Sequence, residues 1–422
     1  MMRLRLERRQ DTPVYLQVLI PIAAVLMTLV LCAGLVWLAG ADLLEAYKLL
    51  LFSTFRSGYD IQDTLVKAAP LLLTGLAVIV AFRAKFWNIG GEGQLMAGAI
   101  AAAYVGQRSF LPEYGLVPLM ILGAAIFGAL WALLPALLKV RLKVDDVVTT
   151  LLLNFIMLYG VSALLEGPWR DPKSGYPNSP SIRSEAEFPI LFGYQLHLGI
   201  LVALVAAILV WWMLTRTTLG FAIRAVGHNP VAANYAGIGV GRTIIVAALI
   251  SGALAGLAGA GEVGGVRFQV TSDLSSNYGY TGIVIATLAE LNPLGAIPAA
   301  LFFAIIFNGA GTMARTTGVP VYLADVIQGI ALVCMVAGRL FALYRLRIVR
   351  TATGTPSPLV GEGGRGPRSG PTIAYGSAAT PSSPHRSGEH PASVGRGGAD
   401  RLGNSAADKG EGNSQQGEAS HA

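Results

Sequence analysis

The sequence predicts an all-α fold: a polytopic transmembrane bundle of about ten spans, some of them broken or short, with both termini cytoplasmic. Three observations carry this. Of the 422 residues, 53% are apolar and only 13% charged, against a charged share of about 25% in soluble proteins. Mean hydropathy is +0.57 although residues 351–422 are polar. Apolar runs of about twenty residues recur, enough to cross a hydrocarbon core of about 30 Å and alternating too little for barrel strands.

Taken in order, a basic segment at 1–17, with Arg3, Arg5, Arg8 and Arg9, precedes an apolar run at 18–39. That run is longer than a signal-peptide core, so it reads as an anchor that stays. Further runs occupy 65–82, 91–106, 116–138, 147–165, 196–214, 243–261, 278–291, 294–310 and 324–341, two of them shorter than a full crossing. The transmembrane region therefore spans 18–350. With the amino terminus inside, sixteen basic residues fall in inner segments and nine in outer ones. The positive-inside rule favours that orientation, and an even number of crossings agrees with it.

After Arg350 the composition turns to Gly, Ser, Pro and Ala with balanced charges. Such a segment buries too little surface to offset its ordering entropy, so 351–422 reads as a disordered cytoplasmic tail. The two cysteines, Cys32 and Cys334, sit in apolar runs and suggest neither a disulfide nor a metal site. No metal or cofactor is expected. Basic residues that flank apolar spans report topology, so no nucleic-acid partner is expected either. No phosphate-binding G-x-x-x-x-G-K-[ST] loop, H-E-x-x-H, G-x-S-x-G or C-x-x-C motif occurs, which argues against an enzyme.

Polar or irregular sequence at membrane depth is where function is sought. Phe86-Trp-Asn-Ile-Gly-Gly-Glu-Gly-Gln94 lies between two apolar runs with little room for a loop. It reads either as a broken helix lining a pathway or as a tight turn with Glu92 capping the next helix. Within 215–242, Asn229 suits an N-cap, Pro230 the first helical position, and Gly237 a left-handed stop, which predicts a short helix over 230–236. A helix so short needs a docking surface, and Ala232, Ala233 and Ala236 form a small face suited to a groove. The outer loop 167–195 carries five prolines, which discourage helix and sheet. Glu262, Glu290, Asn308 and Asp325 are further polar candidates. Gly252, Gly256, Ala260 and Gly264 recur every fourth residue and predict close helix packing.

Three stretches carry a family resemblance: AAPLLLTGLAVIVAFRAKFWNIGGEGQLMAGA (68–99), TTLGFAIRAVGHNPVAANYAGIGVGR (217–242) and ISGALAGLAGAGEV (250–263). Over about residues 15–345 the chain resembles the inner-membrane permeases of binding-protein-dependent ABC importers, and most of all the simple-sugar and nucleoside branch paired with basic-membrane-protein-type lipoproteins. The resemblance implies a multi-pass permease, itself no enzyme, surrounded by membrane lipid. It implies pairing with a second permease subunit, as homo- or heterodimer, energy from a separate cytoplasmic ATPase, and substrate delivered by an extracytoplasmic solute-binding lipoprotein or protein. It places Arg224, Gly227, Asn229, Pro230, Ala232, Ala233 and Gly237 in the ATPase-coupling loop. It places Asn88, Gly90, Gly91, Glu92 and Gln94 near the substrate path, to which Asn154, Glu262 and Asn308 are added as polar groups in apolar surroundings. Nucleosides or simple sugars are the expected cargo. The alternative is an ion-coupled secondary transporter of small polar solutes, which also suits interrupted helices.

Overall fold

A computed structural model of the chain describes residues 2–8, 14–108, 112–193, 195–320 and 322–350. The expected tail at 351–422 lies outside the described residues, as do residues 1 and 9–13 of the expected amino-terminal segment. Each of the ten apolar runs is helical. They form α1 (Val14–Leu38), α3 (Gly58–Arg83), α4 (Gly91–Gly106), α5 (Glu113–Leu137), α6 (Asp146–Glu166), α7 (Leu198–Arg216), α10 (Val240–Glu262), α11 (Tyr278–Leu288), α12 (Ala296–Thr317) and α13 (Leu323–Leu343). Six of these (α3, α5, α6, α7, α10 and α12) are long and apolar enough to cross a membrane, and parts of α1, α11 and α13 form shorter apolar helices.

Three helices lie outside those runs: α2 (Leu43–Phe52), α8 (Thr218–His228) and α9 (Pro230–Tyr235). The start of α2 is set by Asp42, whose side chain accepts from the Glu45 amide at 2.9 Å, with Glu45 complementing the first turn. It lies against Gly309 of α12, where a Cβ would come 2.8 Å from Leu50 Cα.

The fold is not purely helical. β1 (Met2–Arg8) pairs antiparallel with β4 (Tyr344–Arg350), Met2 opposite Arg350 and Arg8 opposite Tyr344. Both segments alternate apolar and charged residues over part of their length, the period of a strand, although they also read as basic flanks of spans. The proline-rich outer loop, expected to lack sheet, ends in a small hairpin of β2 (Ile190–Phe192) and β3 (Leu196–His197). The rest of that loop is irregular but anchored. The Ile182 amide donates to Phe268 O at 2.8 Å and the Phe188 amide to Gly264 O at 2.7 Å, so the loop runs along the segment that follows α10.

Helices α3 and α10 form the interior: 83% and 67% of their most apolar windows are buried, against 28%, 28% and 33% for α5, α6 and α7. The outer helices leave large apolar side chains such as Leu122, Phe127, Ile156 and Ile208 exposed, as a lipid-facing layer requires. The interior closes at backbone contact. A Cβ on Gly128 of α5 would lie 2.8 Å from Gly256 Cα, and one on Gly259 would lie 2.7 Å from the Ala99 nitrogen of α4. Of the predicted small-residue stripe, Gly252, Gly256 and Ala260 are buried along α10. Gly264 instead falls in the π-helical turn Val263–Arg267 that ends the helix, and faces the Phe188 ring.

Candidate functional site

The chain leaves α3 at Arg83 and does not become helical again until Gly91, so the peptide groups of residues 84–90, more than half of them buried residues, lack helical partners. Unpaired peptide groups in hydrocarbon cost several kcal/mol each, so this break needs partners. The expected residues supply them. Asn88 and Gln94 exchange a reciprocal amide pair at 2.9 Å each way, and the Gly90 amide donates to Asn88 Oδ1 at 2.9 Å. Asn154 of α6 accepts from the Gly93 amide and donates to Ile89 O, both at 2.9 Å. Three residues the sequence did not single out complete the frame. The Ile89 amide donates to Thr150 Oγ1 at 3.2 Å, Asn88 Nδ2 donates to Ser251 Oγ at 2.9 Å, and the Trp87 amide donates to Asp146 Oδ2 at 2.6 Å.

Glu92 acts as a cap, but not of the helix it opens. Its carboxylate, 2% exposed, reaches across to the start of α11, where it accepts from the Ser275 hydroxyl and, at 2.8 Å, from the Gly279 amide. It therefore caps a different helix from its own. The amino-terminal ends of α4 and α11 abut at Gly91 and Gly279, where a Cβ on Gly91 would sit 3.4 Å from Gly279 Cα. Two positive helix ends thus converge on one carboxylate. The same contact holds a turn in which Ser276 and Asn277 have left-handed backbones, φ 43° and 62°. Such conformations persist where surrounding contacts over-determine them.

Beyond that turn is a polar cavity of about 390 Å³. From α3 it is lined by Asp63 and Lys67, from the end of α10 by Glu262 and Arg267, and from the α11 turn by Ser276 and Tyr278, with Phe307 of α12 closing one side. Lys67 Nζ donates to Asp63 Oδ2 at 2.7 Å and to Asn308 Oδ1 at 3.0 Å. Asn308 in turn donates to Thr64 Oγ1 at 2.8 Å. The eight expected pathway residues therefore divide. Asn88, Gly90, Gly91, Glu92, Gln94 and Asn154 sit together in the buried frame. Glu262 lines the cavity and Asn308 touches it through Lys67. Of the other polar candidates, Glu290 and Asp325 are exposed.

At the opposite end of α3 and α10 lies the element expected to couple. Thr217 opens α8 by accepting from the Gly220 amide at 3.1 Å. Gly227 then lets α8 press on the end of α3, where a Cβ would come 3.0 Å from the Arg83 carbonyl carbon. Arg224 is half-buried on the same helix. Asn229 Oδ1 accepts from the Val231 and Ala232 amides at 3.0 and 3.1 Å, and Pro230 takes the first position of α9. Gly237 follows with φ 81°, and the Ile238 amide closes back on Ala233 O at 3.0 Å. The small face expected to find a docking surface is divided between the chain and the outside. Ala233 is buried against the chain, whereas Ala232 and Ala236 are exposed alongside Val231 and Tyr235.

The comparisons with known proteins agree with this architecture. Residues 61–336 match the family model described as branched-chain amino acid transport system / permease component. The chain is 33% identical over 372 residues to the glucose ABC transporter permease protein TsgB13 of Haloferax volcanii, covering 86% of this chain and 98% of that one. It is 35% identical over 335 residues to the guanosine ABC transporter permease protein NupP of Bacillus subtilis, covering 78% and 95%. It is 31% identical to the nucleoside ABC transporter permease protein NupB of Lactococcus lactis, covering 74% and 88%. No solved structure matches the chain. The chain belongs to this permease-component family, and is a multi-pass cell-membrane permease of an ABC transport system.

Proposed function

We propose that the chain imports a nucleoside or a simple sugar, as one of two permease subunits moved by a separate cytoplasmic ATPase and supplied by an extracytoplasmic solute-binding protein. The observation that carries this is the near-complete coverage of the guanosine and glucose permeases, 95% and 98% of their lengths. The orientation that follows puts α9 and both termini in the cytoplasm, with α1, α4, α11 and α13 bringing the spans to ten. Pairing of β1 with β4 supports a common side for the termini. The transmembrane region is taken as 18–350 and the tail at 351–422 as cytoplasmic.

In this reading Arg224, Gly227, Asn229, Pro230 and Gly237 shape the elbow between α8 and α9, and Ala233 seats it. The surface offered to the ATPase is Val231, Ala232, Tyr235 and Ala236. Asn88, Gly90, Gly91, Glu92, Gln94 and Asn154 frame the broken segment beside the path, and Glu262 and Asn308 border the path itself. The test is uptake by the assembled transporter carrying Tyr235→Arg. ATP-driven uptake and retention of the ATPase are lost while the permease stays folded. Normal uptake in this variant would refute the coupling assignment, and accumulation driven by an ion gradient without any ATPase would refute the whole reading.

A further inference from the structure

The cavity between α3, α10 and α11 holds one acid that the fold leaves unsatisfied. Glu262 is 3% exposed and lines the cavity, yet among the described residues its carboxylate accepts no hydrogen bond. A carboxylate so far from water is costly unless something donates to it. The other charges around it are already engaged. Asp63 pairs with Lys67 at 2.7 Å, Lys67 also donates to Asn308, and Arg267 lies 3.8 Å from Asp273.

Two further features narrow the ligand. Tyr278 and Phe307 meet edge to face, ring centroids 6.1 Å apart, and form an apolar wall beside the carboxylate. The volume of about 390 Å³ lies within the ordinary range for small-molecule sites. A free acceptor with two oxygens next to an aromatic wall suits a ring that carries adjacent hydroxyls on its edge and C–H bonds on its face. A zwitterion such as an amino acid would need an unpaired cation opposite Glu262, and both cations already have acidic partners.

We propose that this cavity is a binding station inside the permease for the vicinal diol of a ribose or hexose ring, with Glu262 as the group that accepts from the diol. The station rests on the importer reading above and adds to it a specificity of the permease's own. Glu92 is its positioning residue, because it holds the turn that brings Ser276 and Tyr278 to the cavity wall.

The experiment compares uptake by the assembled transporter, at saturating solute and with the same solute-binding protein throughout, in wild type, Glu262→Gln and Glu262→Leu. Probes are guanosine against 2′,3′-dideoxyguanosine, glucose against 2,4-dideoxyglucose, which keeps no two hydroxyls on adjacent carbons, and leucine. Wild type prefers the diol-bearing member of one pair by about tenfold or more, as a lost hydrogen bond to a charged group implies. In Glu262→Leu that preference collapses toward one, and in Glu262→Gln it falls partway. The guanosine and glucose arms tell a ribose from a hexose. A preference that persists in both variants, even if uptake falls, overturns the proposal, because a structural role would slow both members of a pair alike. Wild-type uptake of leucine and of neither pair would instead overturn the importer reading beneath it.

Discussion

Removing the Glu92 carboxylate tests whether one side chain joins the two short helices. In Glu92→Ala the Ser275 hydroxyl and the Gly279 amide, both buried, lose their acceptor. An orphaned buried donor costs roughly 1–3 kcal/mol, so the pair costs about 2–6 kcal/mol. The lower end is favoured here, since interhelical hydrogen bonds inside membranes average only about 0.6 kcal/mol when partners can rearrange. Glu92→Gln keeps one acceptor for the Gly279 amide and brings a donor that the Ser275 hydroxyl oxygen can accept from, so it loses about half as much or less. The assay is thermal unfolding of the purified permease in detergent, read beside hydrogen exchange of the α11 amides. The expected order of stability is wild type, Gln, Ala, with exchange accelerating first at 278–281. Identical melting and unchanged protection in Glu92→Ala would show that the cap is energetically idle, and the framing role given to this residue would fail.

Two further outcomes follow from other contacts. Gly256→Val places branched carbons where even a Cβ comes 3.0 Å from the Ala124 carbonyl carbon and 3.1 Å from Gly128 Cα. Overpacking of about 1–3 kcal/mol or more is expected, seen as lost folded yield on size-exclusion chromatography, whereas Gly261→Ala, with nothing within 4 Å, is silent. His197, outside the spans, caps α7 by accepting from the Gly199 amide at 3.1 Å, and burial lowers its pKa from 6.5 to about 4. Above pH 6.5 it is neutral folded and unfolded, and stability is independent of it. Between pH 6.5 and 4 only the unfolded chain takes up the proton, so stability falls by up to about 3 kcal/mol as the medium is acidified. Unfolding titrations across that window lose this slope in His197→Gln; an unchanged slope would place the titration elsewhere.

What could be read from the sequence was what depends on neighbours in the chain. Apolar runs of the right length became helices, and Asn229, Pro230 and Gly237 bounded α9 because capping, proline and left-handed glycine are local effects. Helix α8 carries an equally local signal in Thr217, but the many glycines and charges of 215–242 obscured it. The site was less legible. Glu92 finds its donors 183 and 187 residues away, and Lys67 meets Asn308 across 241. No periodicity encodes such pairings. Asp63 and Lys67, four apart at the head of an apolar run, were the one available hint, since an ion pair is rarely placed there without a partner from another helix.

In the proposed mechanism a load at α9 reaches the cavity through α3 and α10. Gly227 seats the elbow on the last carbonyl of α3, and α9 leads into α10 through only four residues, 236–239. The same two helices carry opposite walls of the cavity, Asp63 and Lys67 on one and Glu262 and Arg267 on the other. From Lys67 to Arg83 the lever is about 24 Å long at 1.5 Å per residue. A relative tilt of about 5° at the elbow therefore moves one wall past the other by about 2 Å. Hydrogen bonds weaken over a far smaller displacement, so a small rotation is enough to make and unmake a polar site. Because α10 meets α4 and α5 at backbone contact through Gly252, Gly256 and Gly259, those helices have little room to shift against one another at these points. The strain of such a tilt therefore falls on the side-chain contacts between α10 and α3, where the Ser251 hydroxyl donates to Ala77 O at 2.7 Å.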